Sequence, residues 1–163
     1  MPSATVQPDA RLTSKLINPV LSSVIETFAM MLDCRVERGE VELLAEGAEP
    51  NDVSALIGVT GRAKGLVCIG FHQQTALNVA ERFIGQRPSG LTLEATDALG
   101  ELVNMVGGAA KSKLNMGLNI GLPQVSDDPD QPIDFPPQSK PIRVHFDSDL
   151  GPFNIDFGFT VRN

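Results

Sequence analysis

The chain has 163 residues, of which 42% are hydrophobic and 20% charged, with a formal net charge of −7. That balance fits one soluble domain with a real core and excludes a disordered chain. The acidic total and the lack of a basic stripe argue against a nucleic-acid binder. No apolar run approaches the length of about 18 residues that spans a bilayer, so no membrane insertion is expected.

The N-terminal MPSATVQPDARLTSK lacks the apolar stretch of a secretory signal. Cys34 and Cys68 stand apart in apolar surroundings and match no metal or redox spacing. Buried free thiols, no metal site and a cytoplasmic location are the expectation. Residues 1–11, polar with two prolines, read as a flexible tail, and residues 12–163 as a single domain.

Residues 12–32 carry helical periodicity through Leu16, Ile17, Val20, Leu21, Val24, Phe28 and Leu32. Pro19 interrupts it, which predicts a regular helix starting near Asn18, with Asn18 as cap and Pro19 at the first position. Residues 34–46 alternate and predict a strand. Residues 52–60 and 66–71 are β-rich and are separated by Gly61-Arg-Ala-Lys-Gly65, a hairpin signature. Residues 75–84 predict a short helix closed by Gly85. A long helix then starts at the cap Thr92 and ends near Gly117. Residues 122–125 start a strand, residues 126–141 are too rich in Pro and Asp for regular structure, and residues 142–146 and 153–161 form a second hairpin. A helix followed by three strands therefore occurs twice. Superposing the helices sets Glu26-Thr-Phe-Ala-Met30 against Glu101-Leu-Val-Asn-Met105, which supports an internal duplication.

The second long helix, DALGELVNMVGGAAKSKL from Asp97, holds the functional signal. At about 100° per residue, Ala95, Ala98, Leu99, Leu102, Met105, Val106 and Ala109 share an apolar face. Asp97, Glu101, Asn104, Gly108 and Lys111 share the other, with Gly100 and Gly107 beside them. Glu101 and Asn104 are three apart, so their side chains lie together. Each glycine costs about 1 kcal/mol relative to alanine in a helix. Three on the outward side predict a flat polar strip on which another molecule lies. Other chemistry is missing: His72 and His145 read as ordinary surface or strand-edge residues, Gly61–Gly65 lacks the P-loop spacing, and Asp127, Asp128 and Asp130 lack the glycine and glutamate of a calcium loop. A bare Glu-x-x-Asn pair is more often a solvated helix face than a site. Asn is no general base, but its amide orients a water through two donors and an acceptor. That suits reactions in which positioning and electrostatics supply the rate, phosphoryl transfer foremost.

Asp97-Ala-Leu-Gly-Glu-Leu-Val-Asn-Met-Val-Gly-Gly-Ala-Ala-Lys111, with Leu114 and Leu122-Pro123, resembles the signature of the CheC/CheX/FliY family of phosphatases. Ile17-Asn-Pro-Val20, Ile57-Gly-Val-Thr-Gly61 and Lys64-Gly65 extend the likeness over nearly the whole chain. The resemblance implies an α+β fold of two α-β-β-β repeats, with two long helices packed on a mainly antiparallel sheet. It implies hydrolysis of the aspartyl phosphate of CheY, the chemotaxis response regulator. Glu101 would dock on the regulator's active-site lysine and Asn104 would hold the attacking water, with Asp97, Gly108 and Lys111 lining the docking strip. The regulator would supply Mg²⁺, so no cofactor of the chain's own is implied. CheC members carry the motif on both long helices and CheX members on the second only; Glu26-x-x-Ala29 matches the latter. The resemblance also implies a homodimer formed through sheet edges. Two other functions stay open: a non-catalytic response-regulator-binding module akin to flagellar switch proteins, and an adaptor for a regulator outside chemotaxis.

Overall fold

A computed structural model describes residues 10–44 and 48–161, with side chains from residue 15 onward. The elements are α1 (Ala10–Leu32), β1 (Val36–Leu43), β2 (Val53–Gly61), β3 (Ala63–Phe71), α2 (Gln73–Ile84), α3 (Leu93–Leu114), β4 (Leu118–Ile120), β5 (Gln124–Ser126), β6 (Ile142–Ser148) and β7 (Phe153–Val161). The strands form one sheet in the order β1-β6-β7-β3-β2-β4, with β5 also on β2, and every pairing is antiparallel.

The expected duplication is visible in that order. α1-β1-β2-β3 and α3-(β4/β5)-β6-β7 are the two repeats, joined by α2. The central pair, β3 and β7, is the last strand of each repeat. Each repeat sends its first strand across, β1 to the other repeat's β6 and β4/β5 to β2. Exchanging the repeats therefore maps the strand order onto its reverse.

The helices cover one face. Val20, Val24 and Phe28 of α1 and Leu99, Leu102 and Val106 of α3 share a core with Val53, Ile57, Val67, Ile69, Val144, Phe146, Ile155 and Phe157 of the sheet. Phe153 stacks between Phe28 and Phe146, with ring centroids 4.6 and 5.1 Å away. Because strand side chains alternate, Arg143, Asp156 and Gly158 fall on the opposite face. There the segment after β5, irregular as expected, crosses the sheet: a methyl group at Gly158 would lie 2.6 Å from Ser139 Oγ.

Several boundaries differ from expectation. α1 does not begin at Asn18; it runs from Ala10 with Pro19 inside it. A proline in a helix interior costs about 3 kcal/mol. Leu16 is buried ahead of it, and the contacts on both sides of the proline hold the helix through it. Of the expected tail, residues 1–9 lie outside the described residues, and Ala10 and Arg11 already belong to α1. The end of the expected first strand, residues 45 and 46, also lies outside. α3 stops at Leu114 rather than near Gly117, because Asn115 takes the left-handed cap conformation (φ 46°). Of the strand expected at 122–125 only Gln124 and Val125 are paired, in β5 with Ser126, and β4 at Leu118–Ile120 was not expected. Contrary to the expected lack of any spanning-length apolar run, Lys15–Leu32 reaches membrane-span length and composition, with a mean hydropathy of 1.2. Part of that apolar content is the core face just described (Val20, Val24 and Phe28), while Ile25, Met30 and Met31 are exposed. The β2–β3 hairpin forms as expected but turns more tightly than Gly61–Gly65, with β2 running to Gly61 (φ 106°) and β3 starting at Ala63. Gly85 as the α2 cap (φ 87°) and the burial of both free cysteines agree with expectation.

Candidate functional site

α3 is set by its ends and its buried face. Thr92 caps the first turn, its hydroxyl accepting from Ala95 N at 3.2 Å. Ala95, Ala98, Leu99, Leu102, Val103, Val106 and Ala110 are buried, which fixes the rotation of the helix about its axis. Met105 and Ala109, placed on the apolar face by their spacing, are only half-buried. With that rotation Asp97, Glu101 and Lys111 are exposed, and Asn104 and Gly108 are half-buried, together on one flank. None of the ion pairs among the described residues uses Glu101, Asp97 or Lys111.

The three glycines do not act alike, and the expected outward strip of glycines is corrected here. Gly100 and Gly107 are buried. A methyl group at Gly107 would lie 3.2 Å from Ile57 Cγ2, and one at Gly100 3.6 Å from Val125 Cγ2 and 3.8 Å from Pro123. They let α3 settle onto β2 and the β4–β5 edge. The wheel shows why: at about 100° per residue they sit about 20° apart, on the margin between the polar and buried faces. Only Gly108 meets open space, so the low, open surface survives at that position alone.

The equivalent position on α1 is differently engaged. Glu26 is exposed but accepts from Lys113 Nζ at the end of α3 (3.0 Å) and from Ser22 Oγ (3.4 Å). Ala29, where α3 has Asn104, is exposed, and Thr27 is buried. The carboxylate that matches Glu101 by repeat is thus a strut between the two long helices.

Among the described residues no cluster of histidine, cysteine or acidic side chains is arranged to hold a metal ion. His72 is exposed at the start of α2, 3.8 Å from Asp52, and His145 reaches Glu42 at 3.2 Å. Neither belongs to α3: His72 precedes α2 and His145 lies in β6.

A buried charge pair went unnoticed in the sequence. Arg143 Nε and Nη2 donate to the two carboxylate oxygens of Asp156 at 2.8 and 2.9 Å, and Nη1 donates to the carbonyl of Glu49 at 2.7 Å. Asn154 and Asn51 add donors to the same carboxylate. Burial alone would lower the Arg143 guanidinium; the hydrogen bonds and charge of Asp156 outweigh it and hold the group above its ordinary value. With its carboxylate and guanidinium satisfied, the pair ties the segment before β2 to the sheet. The expected hairpin contained the signal: counting back from the pair Phe146 and Phe153 sets Arg143 opposite Asp156.

The family described as chemotaxis phosphatase CheX matches residues 53–147. No curated protein matches the chain. Among solved structures, the chemotaxis protein CheX of Vibrio vulnificus is 28% identical with a TM-score of 0.80, over 90% of this chain and 99% of that one. A CheC-like superfamily protein of Shewanella sp. PV-4 is 29% identical with a TM-score of 0.80, over 90% and 97%. A CheX of Borrelia burgdorferi, solved in complex with CheY, BeF₃ and Mg²⁺, shares the fold at a TM-score of 0.70 and 19% identity, over 88% and 97%. The family match includes β2, β3, the whole of α3 and most of β6, and therefore the flank that carries Glu101 and Asn104: this chain belongs to the CheX family.

Proposed function

We propose that this chain hydrolyses the aspartyl phosphate of a CheY-type response regulator, and that α3 is the element that enters the regulator's active site. The observation that carries this reading is the pair Glu101 and Asn104, exposed and half-buried on one flank of α3 in a chain of the CheX family. Glu101 pairs with the regulator's active-site lysine and sets the register of docking. Asn104 then points its amide at the aspartyl phosphate and orients a water in line with the phosphorus. Its amide has no useful proton to lose, so the gain comes from positioning and from fixed dipoles. Asp97, Gly108 and Lys111 form the surrounding contact strip. In this reading the Mg²⁺ and the phosphorylated aspartate belong to the regulator, which is supported by a CheX having been solved together with CheY, BeF₃ and Mg²⁺. A homodimer through sheet edges accompanies the reading; β1, with all but its first residue exposed, is a candidate edge.

The test is phosphate release from a purified CheY-type receiver domain charged with acetyl phosphate in Mg²⁺. Addition of this chain is expected to accelerate release catalytically, each molecule turning over many receivers. Release at the receiver's own rate across a panel of such receivers would overturn the reading.

A further inference from the structure

The edge of the sheet beside α3 is broken at one place. β4 pairs with Val59, Thr60 and Gly61 of β2, and β5 pairs with Ser54, Ala55 and Leu56 of the same strand. Between them Gly121 N donates to the carbonyl of Gly58 at 2.9 Å, and Leu122-Pro123 steps out of the ladder. Proline has no amide to give to a strand, which accounts for the step. Leu122 is 87% exposed, the most exposed large apolar side chain among the described residues.

The contacts of α3 fix where that leucine stands. The space beside Gly107 is bounded by Ile120, and the space beside Gly100 by Pro123. Between those two glycines α3 advances about 10 Å, and Leu122 falls within that interval, beside the turns that carry Glu101 and Asn104. Around the helix, Asn104 lies only about 40° from Gly100 on the side of the open flank. The order across the surface is therefore Leu122, then Asn104, then Glu101.

We infer that Leu122 is a specificity-determining contact for the regulator, an apolar anchor seated against an apolar patch next to the regulator's active-site cleft. This rests on the reading of α3 as the docking helix. An isolated leucine at the surface needs no explanation by itself. This one is held out by a break in the edge strand and by a proline that faces Gly100 of α3, and in the order above it comes next to Asn104, with Glu101 beyond. Protein contacts of this kind concentrate affinity in a few apolar anchors, while neighbouring charges set encounter and register. Leu122 touches no reacting atom, so it acts on binding and leaves the water-orienting step to Asn104.

The experiment measures steady-state dephosphorylation of a CheY-type receiver, and affinity for the same receiver activated with beryllium fluoride and Mg²⁺, using the full chain. Leu122→Ser is expected to raise KM and weaken affinity about tenfold, with kcat retained at saturation. Leu122→Met should restore both. The loss should persist in high salt, unlike that of a charge contact. Thermal unfolding and oligomeric state are measured alongside. An unchanged KM in an active enzyme would overturn this inference and leave the proposed function standing. A loss of affinity that follows a change in oligomeric state would also overturn it. A wild-type chain that neither binds nor dephosphorylates the receivers would overturn both.

Discussion

Asn104 and Glu101 sit one turn apart and are expected to fail in different ways. Asn104→Ala removes a positioning group while leaving the buried face of α3 intact, so the fold and regulator binding persist. Turnover should fall on the order of 10² or more, measured as phosphate release at saturating regulator; wild-type turnover would reject the assignment. Glu101→Gln removes one member of a solvent-exposed charge pair, whose strength depends on screening. KM should rise and its dependence on ionic strength should flatten; a KM with wild-type salt dependence would count against a docking role. The glycines separate function from packing. Gly108→Leu meets open space and gains up to about 1 kcal/mol in helix propensity, yet its side chain stands in the path of the regulator. Gly107→Leu would drive into Ile57, already 3.2 Å from a methyl at that site, and should lower the melting temperature. A Gly108→Leu chain that loses stability would show that the open flank is misassigned.

At the scale of elements, α1 and α3 are repeats with different duties. Glu26 bridges to Lys113 across the helix pair, and such partly exposed pairs contribute about 0–1 kcal/mol. Glu26→Ala should therefore shift the melting temperature slightly and leave turnover nearly unchanged, one site serving each chain. A large drop in turnover with the fold intact would place a second site on α1. The β6–β7 hairpin carries a different load. Breaking a buried ion pair by removing one member leaves a charge unpaired in the interior and commonly costs about 3–5 kcal/mol. Asp156→Asn, which strands Arg143, should destabilise the protein by that order in denaturant unfolding. The sequence made the element types and the paired α3 residues legible, because periodicity and turn chemistry are local. The buried glycines were not legible: their direction depends on where β2 and the β4–β5 edge lie, and a helical wheel leaves a margin residue free to face either way. Pro19 misled for the same reason, since packing far along the chain outweighed a local rule.

For the molecule as a whole, the interior sets a pH limit. Burial, and after it the charge of Asp156, pushes the Cys68 thiol up to about 12 from an ordinary 9.0. Between those values the unfolded chain releases this proton and the folded chain keeps it. The contribution is therefore fully present below about pH 9 and declines as pH rises through that window. Cys68→Ala should flatten the alkaline fall in stability, read by denaturant unfolding from pH 8 to 11. In the native protein at pH 8, Cys68 should not react with a thiol reagent on the timescale of mixing.

The crossed strands also govern how the chain reaches this state. Val36 of β1 finds Ser148 of β6, more than a hundred residues along the chain, and β3 pairs along its whole length with β7 near the other end. Neither half closes its own sheet edge, so a nascent chain released before β6 and β7 are made holds two strands without their partners. Such long-range pairing must meet the loop-closure entropy before it gains contacts, which slows folding. Refolding should therefore be on the slow side for a chain of this size. A fragment ending before residue 142 should populate no native sheet, since half of the interior face would be lacking. Two fragments cut in the loop between α2 and α3, by contrast, each carry the strand the other needs. Mixed together, they should reassociate into one folded particle.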